Sequence, residues 1–339
     1  QFDSARITEI LKFIETAKNS DALYYADKKN GAPSAYSEFD VRCSLTDILK
    51  YAFNPDLPRL VTMPSSNRLS HWQQVENNGH TLPKLWDKAA GLDAPIVIRG
   101  IEVVENTPDT FSGAYYKYDL YRSLVLFRYG NRSVLISVSK QKDVSDVGHK
   151  GFVLGPDENW DYVYTGKPGL TITGLGWVRS YMYDSFGISV YYELDPATPM
   201  VRCAAFNWTR AGWSKINVVK KSHIYEGILR FANSYKQILE SSQLPDADAL
   251  AGFFSKVRAL DIDELRERIA PYPQILKSRY SPSPPPGAKW TPEIFDNPDY
   301  WANLSKEEMQ SLIMLEYLKL VLGKTSEDEV AELFPNYTY

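Results

Sequence analysis

The chain has 339 residues, of which 44% are hydrophobic and 24% are charged, and its formal net charge at pH 7 is −4. This is the composition of an ordinary globular protein with enough residues for one large core. The negative charge and the lack of long Lys/Arg runs argue against nucleic-acid binding, because phosphate contacts need clustered basic side chains. No apolar run approaches the roughly 20 residues that a transmembrane helix needs.

The first residue is Gln1, and there are two cysteines, Cys43 and Cys203. A chain that starts without methionine is expected in two cases. Either the sequence begins at a selected position inside a longer chain, or a signal peptide has been removed from the mature protein. Together with the few cysteines, this start predicts an extracytoplasmic location, periplasmic or secreted. The two cysteines could form a disulfide that stabilises the fold by roughly 4–5 kcal/mol, or they could be buried free thiols.

The N-terminal quarter is predicted to contain two helices with a strand between them. The first is an amphipathic helix over residues 4–18, with Ser4 as its N-cap. The strand covers residues 36–43, and the second helix starts at Ser44 and ends at Asn54-Pro55. Residues 54–83 are rich in Pro, Ser, Asn and Gly, and they predict a long irregular loop.

The clearest hairpin pairs residues 114–129 with 132–140 around a Gly130-Asn131 turn, since both turn residues tolerate a positive φ. Its register places six residues on one apolar face: Tyr121, Val125, Phe127, Val134, Ile136 and Val138. The other face is mixed, with Arg122, Arg128, Ser133, Ser137 and Ser139 among Leu124, Leu126 and Leu135. We therefore expect one face to be core and the other to be partly polar.

Residues 174–210 show three runs of period-two alternation, which is typical of an antiparallel meander. The predicted turns are residues 184–187 and 195–199, and a break is expected at residues 211–213. The first run places Trp177, Arg179, Tyr181 and Tyr183 on one side of a single strand.

An amphipathic helix follows from Ser222 to about residue 241, and we expect the apolar side of the sheet to lie beneath it. Further helices are predicted at 246–259, at 262–270, from Ser305 to Gly323, and after Ser326. A Pro-rich spacer covers residues 281–287.

The predicted fold class is therefore α+β. A curved antiparallel sheet of about six to eight strands packs on one long helix, with helices at the N-terminus and a helical C-terminal extension. The predicted domains are residues 1–244 and 245–339. In outline this arrangement resembles the START-type lipid-transfer domains, in which a sheet grips one long helix, and the likeness is one of architecture.

The sequence is rich in aromatic residues, with 23 Tyr and 8 Trp, which suit half-wet pockets as well as packed sheets. Aromatic rings and one Arg could hold a small amphipathic or aromatic ligand by stacking and one charge-assisted hydrogen bond. The alternative is core filling against the helix at 222–241. The candidate ligand-binding residues are Trp177, Arg179, Tyr181, Tyr183, Tyr191, Trp208 and Trp213.

Asp143, Asp146 and His149 form a weak metal candidate, because their spacing fits no calcium loop and acidic loops are usually solvated. No catalytic or cofactor motif is present, so we expect no cofactor. The preferred function is non-catalytic binding of a small ligand. The alternatives are a hydrolase that uses His71 or His149 with a nearby acid, and an assembly protein whose C-terminal helices dock a partner.

Overall fold

The computed structural model describes residues 7–16, 27–89, 91–172, 176–195, 197–281 and 288–334. The helices are α1 (Thr8–Thr16), α2 (Leu45–Ala52), α3 (Trp86–Ala89), α4 (Lys221–Leu239), α5 (Ala247–Ala259), α6 (Ile262–Ile269), α7 (Tyr272–Tyr280), α8 (Lys306–Val321) and α9 (Glu327–Val330). The strands are β1 (Ser34–Val41), β2 (Asn67–Val75), β3 (Ile96–Asn106), β4 (Ala114–Tyr115), β5 (Lys117–Tyr129), β6 (Arg132–Gln141), β7 (His149–Val153), β8 (Tyr162–Pro168), β9 (Leu170–Ile172), β10 (Gly176–Val178), β11 (Tyr181–Asp195), β12 (Thr198–Trp213) and β13 (Ile216–Asn217).

One antiparallel sheet dominates the described residues. Its strand order is β1-β12-β11-β6-β5-β3-β2, and the short β13 pairs with the end of β12. The helix α4 packs on this sheet, where its Tyr235 joins the same core cluster as Leu126 and Tyr191. The predicted α+β class, with a large antiparallel sheet on one long helix, is therefore confirmed. The predicted hairpin is present as well, since Tyr129 pairs with Arg132 on either side of the Gly130-Asn131 turn.

The sheet is covered on both faces. The wholly apolar face packs against α1, whose Leu11 and Ile14 lie in one core cluster with Phe127 and Ile136. The mixed face lies beneath α4. The expectation that α4 covers the apolar face was therefore wrong, because the shorter α1 covers it. The predicted N-cap Ser4 lies outside the described residues.

Strand β2 runs through the segment that was predicted to be a loop. It is an edge strand whose one partner among the described residues is β3, and its register shifts between Asn67 and Leu69 and again between Trp72 and Gln74. These irregularities break the period-two pattern, and an edge strand needs fewer apolar side chains than a central one. The prediction of an irregular loop was therefore wrong for residues 67–75, because the segment is polar and lacks a regular alternation.

The bounds of the strands in the meander also differ from the prediction. Strand β11 runs without interruption from Tyr181 to Asp195, so residues 184–187 form no turn. Gly187 pairs with Ser139 on one side and with Asn207 on the other. Trp177 belongs to the separate short strand β10. Strand β12 likewise continues through residues 211–213, where a break was predicted.

The C-terminal helices share one core with earlier parts of the chain. Leu60 and Val163 lie in the same apolar cluster as Phe253 of α5 and Ile313 of α8. The division into domains at residue 244 stays a prediction. Helix α7 was missed, and the Pro-rich spacer at 282–287 lies outside the described residues.

A buried charge cluster joins α7 and α8 to the segment before β8. The Nζ of Lys319 lies 2.5 Å from Oδ1 of Asp161 and 2.7 Å from Oε1 of Glu316. Arg279 pairs with the same two carboxylates, at 3.0 Å and 3.3 Å, and also with Glu329. The contacts of Asp161 tie the C-terminal helices to the β-rich part of the molecule.

Cys43 and Cys203 are both buried and both free thiols, so the disulfide considered from the sequence is not formed. Burial, with a smaller contribution from Asp47, raises the pKa of the Cys43 thiol to about 12. Such thiols stay protonated and unreactive at neutral pH.

Candidate ligand-binding cavity

A cavity of about 620 Å³ lies between the mixed face of the sheet and the N-terminal half of α4. Its size falls in the range of about 300–1,000 Å³ that is usual for small-molecule sites.

The cavity exists because the sheet presents small side chains beneath this half of α4. Along one row across the strands, Ala205 pairs with Ser189 and Ser189 pairs with Ser137. Along the next row, Asn207 pairs with Gly187 and Gly187 with Ser139. Side chains two apart on a strand point to the same face, so these positions together form a floor of low side-chain volume.

The next row along the same face ends the cavity. Here Cys203 pairs with Tyr191 and Tyr191 pairs with Leu135, and all three are buried in the core cluster beneath the C-terminal half of α4. The ring of Tyr191 packs edge-on against Phe53 at 5.6 Å between centroids. Larger side chains therefore fill the space that the smaller ones leave open.

Helix α4 supplies the apolar side chains of Ile224, Ile228 and Phe231 to the opposite wall, along with the polar His223, Glu226 and Arg230. The cavity thus combines small polar side chains on the sheet with a patch of aliphatic and aromatic side chains on the helix. A ligand with both polar and apolar parts matches this division.

The exposed lining residues mark the mouth. Phe111 is 67% exposed and stacks on His223 at 4.9 Å between ring centroids, and Val218 is 39% exposed. Glu226 of α4 is also exposed and lines the cavity. The loop that carries Phe111 is held by Asp109, whose carboxylate accepts hydrogen bonds from the backbone N–H groups of Phe111 and Ser112 at 2.9 Å and 2.6 Å.

The deepest polar group of the lining is Glu102, which is fully buried. Arg59 donates to it through Nη1 at 3.1 Å, Arg122 donates through Nε, and the Ser70 hydroxyl donates at 2.5 Å. Arg122 also donates through Nη1 to the Ser137 hydroxyl at 2.8 Å. Burial alone would raise the pKa of Glu102, but the two arginines and these hydrogen bonds outweigh it and hold the pKa at about 2.

The third arginine of the lining is neutralised separately. Arg230 makes a two-fold hydrogen-bonded ion pair with Asp157, at 2.7 Å and 2.6 Å. One further polar atom is notable, because the buried Oδ1 of Asn67 lacks a hydrogen-bond partner among the described residues.

The predicted ligand-binding residues divide between several places. Tyr191 and Trp213 line the cavity. Trp208 lies on the other face of the sheet, where it packs against Phe186 at 5.3 Å between centroids and its indole N–H donates to the Asp27 carbonyl.

The remaining four do not line the cavity. The rings of Tyr181 and Tyr183 stack on each other at 6.5 Å, and the backbone N–H of Lys215 donates to the Tyr183 hydroxyl at 2.8 Å. Trp177 is 56% exposed. Arg179 is exposed as well.

The metal candidates are not gathered into a site. Asp143 and Asp146 are exposed, and the His149 ring stacks on Tyr115 at 5.3 Å. Within the described ranges, no group of three His, Cys, Asp or Glu residues is placed to hold a metal ion.

The histidines considered for hydrolysis lie away from the cavity. The Nδ1 of His71 is 3.3 Å from the Glu307 carboxylate, and both side chains are about half exposed. Burial lowers the pKa of His149. In the part of the chain that the structure describes, no hydrogen bond joins either histidine to a serine, threonine or cysteine side chain.

Sequence reasoning missed Arg59, Glu102 and the small-residue floor as parts of one site. The floor did have a signal, namely serine and glycine at every second position from Ser185 to Ser189, and again at Ser137 and Ser139. Small residues at period two inside an otherwise bulky strand indicate a face that is not fully packed.

No protein-family model matches the chain. No curated protein matches it either. Among solved structures, the chain is similar to human StAR-related lipid transfer protein 5, with 10% sequence identity, over 70% of this chain and 96% of that chain, at a TM-score of 0.27. At this score the likeness adds no weight to the argument. No helix of the described residues is long and apolar enough to cross a membrane.

Proposed function

We propose that this protein is a non-catalytic binding protein that holds one small amphipathic ligand in the cavity between the sheet and α4. The observation behind the proposal is the 620 Å³ cavity, which combines small polar side chains on the sheet with apolar side chains on α4. A packed interior normally leaves few voids larger than a water molecule, so an opening of this size inside a sheet-on-helix core favours a binding role.

The alternatives have less support. A hydrolase needs a nucleophile or metal within hydrogen-bond reach of a base, and neither accompanies His71 or His149 in the described ranges. An assembly protein needs an exposed apolar patch on its C-terminal helices. Among the described residues of 246–334, Ile262 is the one large hydrophobic side chain that is exposed, so these helices present no apolar patch. An extracytoplasmic location stays a prediction.

The proposal is tested with a neutral fluorescent probe, N-phenyl-1-naphthylamine, titrated into the purified protein. We expect saturable binding of one probe per chain. Substitution Ser189→Leu places a larger side chain on the floor of the cavity and is expected to weaken probe binding by about tenfold or more, because it takes up space that the probe would occupy. Substitution Ser222→Leu, at an exposed position of α4 outside the lining, is the matched control and is expected to bind as the wild type does.

Two results would contradict the proposal. One is the absence of saturable probe binding by the wild type. The other is equal binding by Ser189→Leu and Ser222→Leu when both variants show the circular dichroism of the folded protein. Native mass spectrometry of the protein as purified provides an independent readout, since a co-purifying ligand is expected to be lost from the Ser189→Leu variant.

A further inference from the structure

We propose that the cavity recognises the head of its ligand as a monoanionic carboxylate, bound between Arg59 and Arg122. This inference rests on the proposed binding function and names the chemical class of the ligand, an amphipathic carboxylic acid. It follows from the charge balance of the buried lining and from the hydrogen-bond donors that the two arginines leave unused.

The buried ion-pair group of the lining, formed by Arg59, Arg122 and Glu102, holds more positive than negative charge. Arg59 and Arg122 both pair with Glu102, and the side chains of the three residues are 14%, 12% and 0% exposed, respectively. Two guanidinium groups against one carboxylate leave one positive charge. Glu102 itself stays ionised at neutral pH, because its pKa is about 2.

Among the described residues, no other carboxylate of the lining forms an ion pair with Arg59 or Arg122. Arg230 and Asp157 neutralise each other. Asp109 is committed to the backbone N–H groups of its own loop, and Glu226 lies on the exposed side of α4 at the mouth. A buried charge without a partner is unfavourable, so an anionic ligand group that supplies the partner gains binding free energy there.

The two guanidinium groups also have N–H donors that make no hydrogen bond to the described residues. Arg122 uses Nε for Glu102 and Nη1 for Ser137, and Arg59 uses Nη1 for Glu102. The other N–H groups of these two side chains have no hydrogen-bond partner among the described residues, and both side chains line the cavity. A guanidinium is the side chain best suited to pair with a planar carboxylate.

Tyr118 and Tyr191 also line the cavity. Burial raises the pKa of Tyr118 to about 12 and the pKa of Tyr191 to about 12, and in both cases Arg122 opposes the rise. Both phenols therefore keep their protons at neutral pH and can act as donors. A surrounding of N–H and O–H donors suits an acceptor such as a carboxylate and disfavours an ammonium head group.

The charge count distinguishes a carboxylate from a phosphate monoester. One carboxylate neutralises the excess charge, whereas a dianionic phosphate would leave one uncompensated negative charge in the buried site. The apolar part of the ligand would then lie along Ile224 and Ile228 of α4, towards the mouth at Phe111.

The test compares ligands of equal chain length that differ only in the head group: dodecanoate, dodecanol, dodecylammonium and, at pH 8, dodecyl phosphate. Each is titrated against the neutral naphthylamine probe bound to the 339-residue chain. We expect dodecanoate to bind about tenfold to a hundredfold more tightly than dodecanol, which is the range for hydrogen bonds to charged groups. Dodecylammonium is expected to be the weakest, and dodecyl phosphate is expected to bind no better than dodecanoate.

Substitution Arg122→Met removes the excess charge and leaves Arg59 paired with Glu102. We expect it to weaken dodecanoate binding by about tenfold or more while dodecanol binding changes by less than about threefold. The matched control is Arg128→Met, since Arg128 lies on the same strand and is exposed outside the lining. Unchanged probe binding shows that each variant is folded.

The outcomes separate the two proposals. Equal affinity for dodecanoate and dodecanol, tighter binding of the phosphate or the ammonium, or an equal loss of acid and alcohol binding in Arg122→Met would overturn the carboxylate inference and leave the binding function standing. Failure of the wild type to bind the probe and all four ligands would overturn both.

Discussion

Replacing Lys319 with methionine removes one of two cations from the buried charge cluster that joins α7 and α8 to Asp161. In the native cluster, Lys319 and Arg279 face the carboxylates of Asp161, Glu316 and Glu329. The variant leaves three carboxylates with one guanidinium. The side chains of Asp161 and Glu316 are 2% and 0% exposed, so water cannot replace the lost ammonium group.

The expected cost follows from this burial. Breaking a buried ion pair by removing one partner costs about 3–5 kcal/mol, against a total free energy of unfolding of about 5–15 kcal/mol for a typical protein. At about 2 °C per kcal/mol for a chain of this size, we expect the Tm of Lys319→Met to fall by about 6–10 °C. The measurement is urea unfolding and a thermal scan, followed by tryptophan fluorescence.

Two companion variants make the result specific. Lys306→Met places the same substitution at an exposed position of the same helix and is expected to change the free energy of unfolding by no more than about 0.5 kcal/mol. The double variant Glu316→Gln with Lys319→Met restores part of the charge balance and is expected to be more stable than Lys319→Met alone. A loss in Lys319→Met that matches Lys306→Met would refute the role assigned to the cluster.

Three further outcomes are expected. Because the pKa of Glu102 is about 2 and its ordinary value is 4.5, the ionised group stabilises the fold above pH 4.5, and this stabilisation is lost as the pH falls towards 2. Urea titrations of wild type and Glu102→Gln are therefore expected to show that the difference in their free energies of unfolding shrinks by about 3 kcal/mol between pH 5 and pH 2. A difference that stays constant over this range would contradict the expectation. Cys43 and Cys203 are expected to react with Ellman's reagent only after unfolding in guanidinium without reductant, giving two thiols, whereas a disulfide would give none. Gly227→Ala on α4 is expected to raise the free energy of unfolding by about 0.5–1 kcal/mol, because a Cβ there meets nothing within 4 Å, and a decrease would show that the helix is closer to the sheet than described.

The sequence predicted the parts of the fold that repeat a regular pattern. The hairpin of β5 and β6 is an example, because both runs are rich in apolar and β-branched residues and flank the strong turn signal Gly130-Asn131. The apolar face of α4 is a second example, since Ile224, Ile228 and Tyr235 recur at helical spacing and are buried. Local periodicity determines these elements, so local reasoning finds them.

The errors share a different cause. Residues 184–187 have the composition of a turn, yet they lie in the middle of β11, where a small residue is needed to leave room beneath α4 rather than to reverse the chain. At Gly187, an added Cβ would lie 3.0 Å from the Asn207 side chain and 3.1 Å from the Ser139 hydroxyl. The sequence shows that the residue is small, and only the neighbouring strands show why.

The candidate site was only partly predictable. Tyr191 and Trp213 were expected to bind a ligand because of their chemistry, and they line the cavity, while the binding itself stays a prediction. Arg59, Glu102 and Arg122 lie far apart in sequence and are brought together by the pairing of β3 with β5 and by the loop before β2. No short motif encodes such a set, so reasoning along the chain could not assemble it.

The small side chains beneath α4 stand on strands that are hydrogen-bonded to neighbours on both sides, so the backbone there has little freedom to move. A change in the size of the cavity then requires no rearrangement of the chain. Exchanging one serine or alanine for a bulkier residue would shorten or narrow the space at one known position and leave its neighbours as they are. Substitutions at these positions could therefore change the shape of the cavity widely while keeping the same framework.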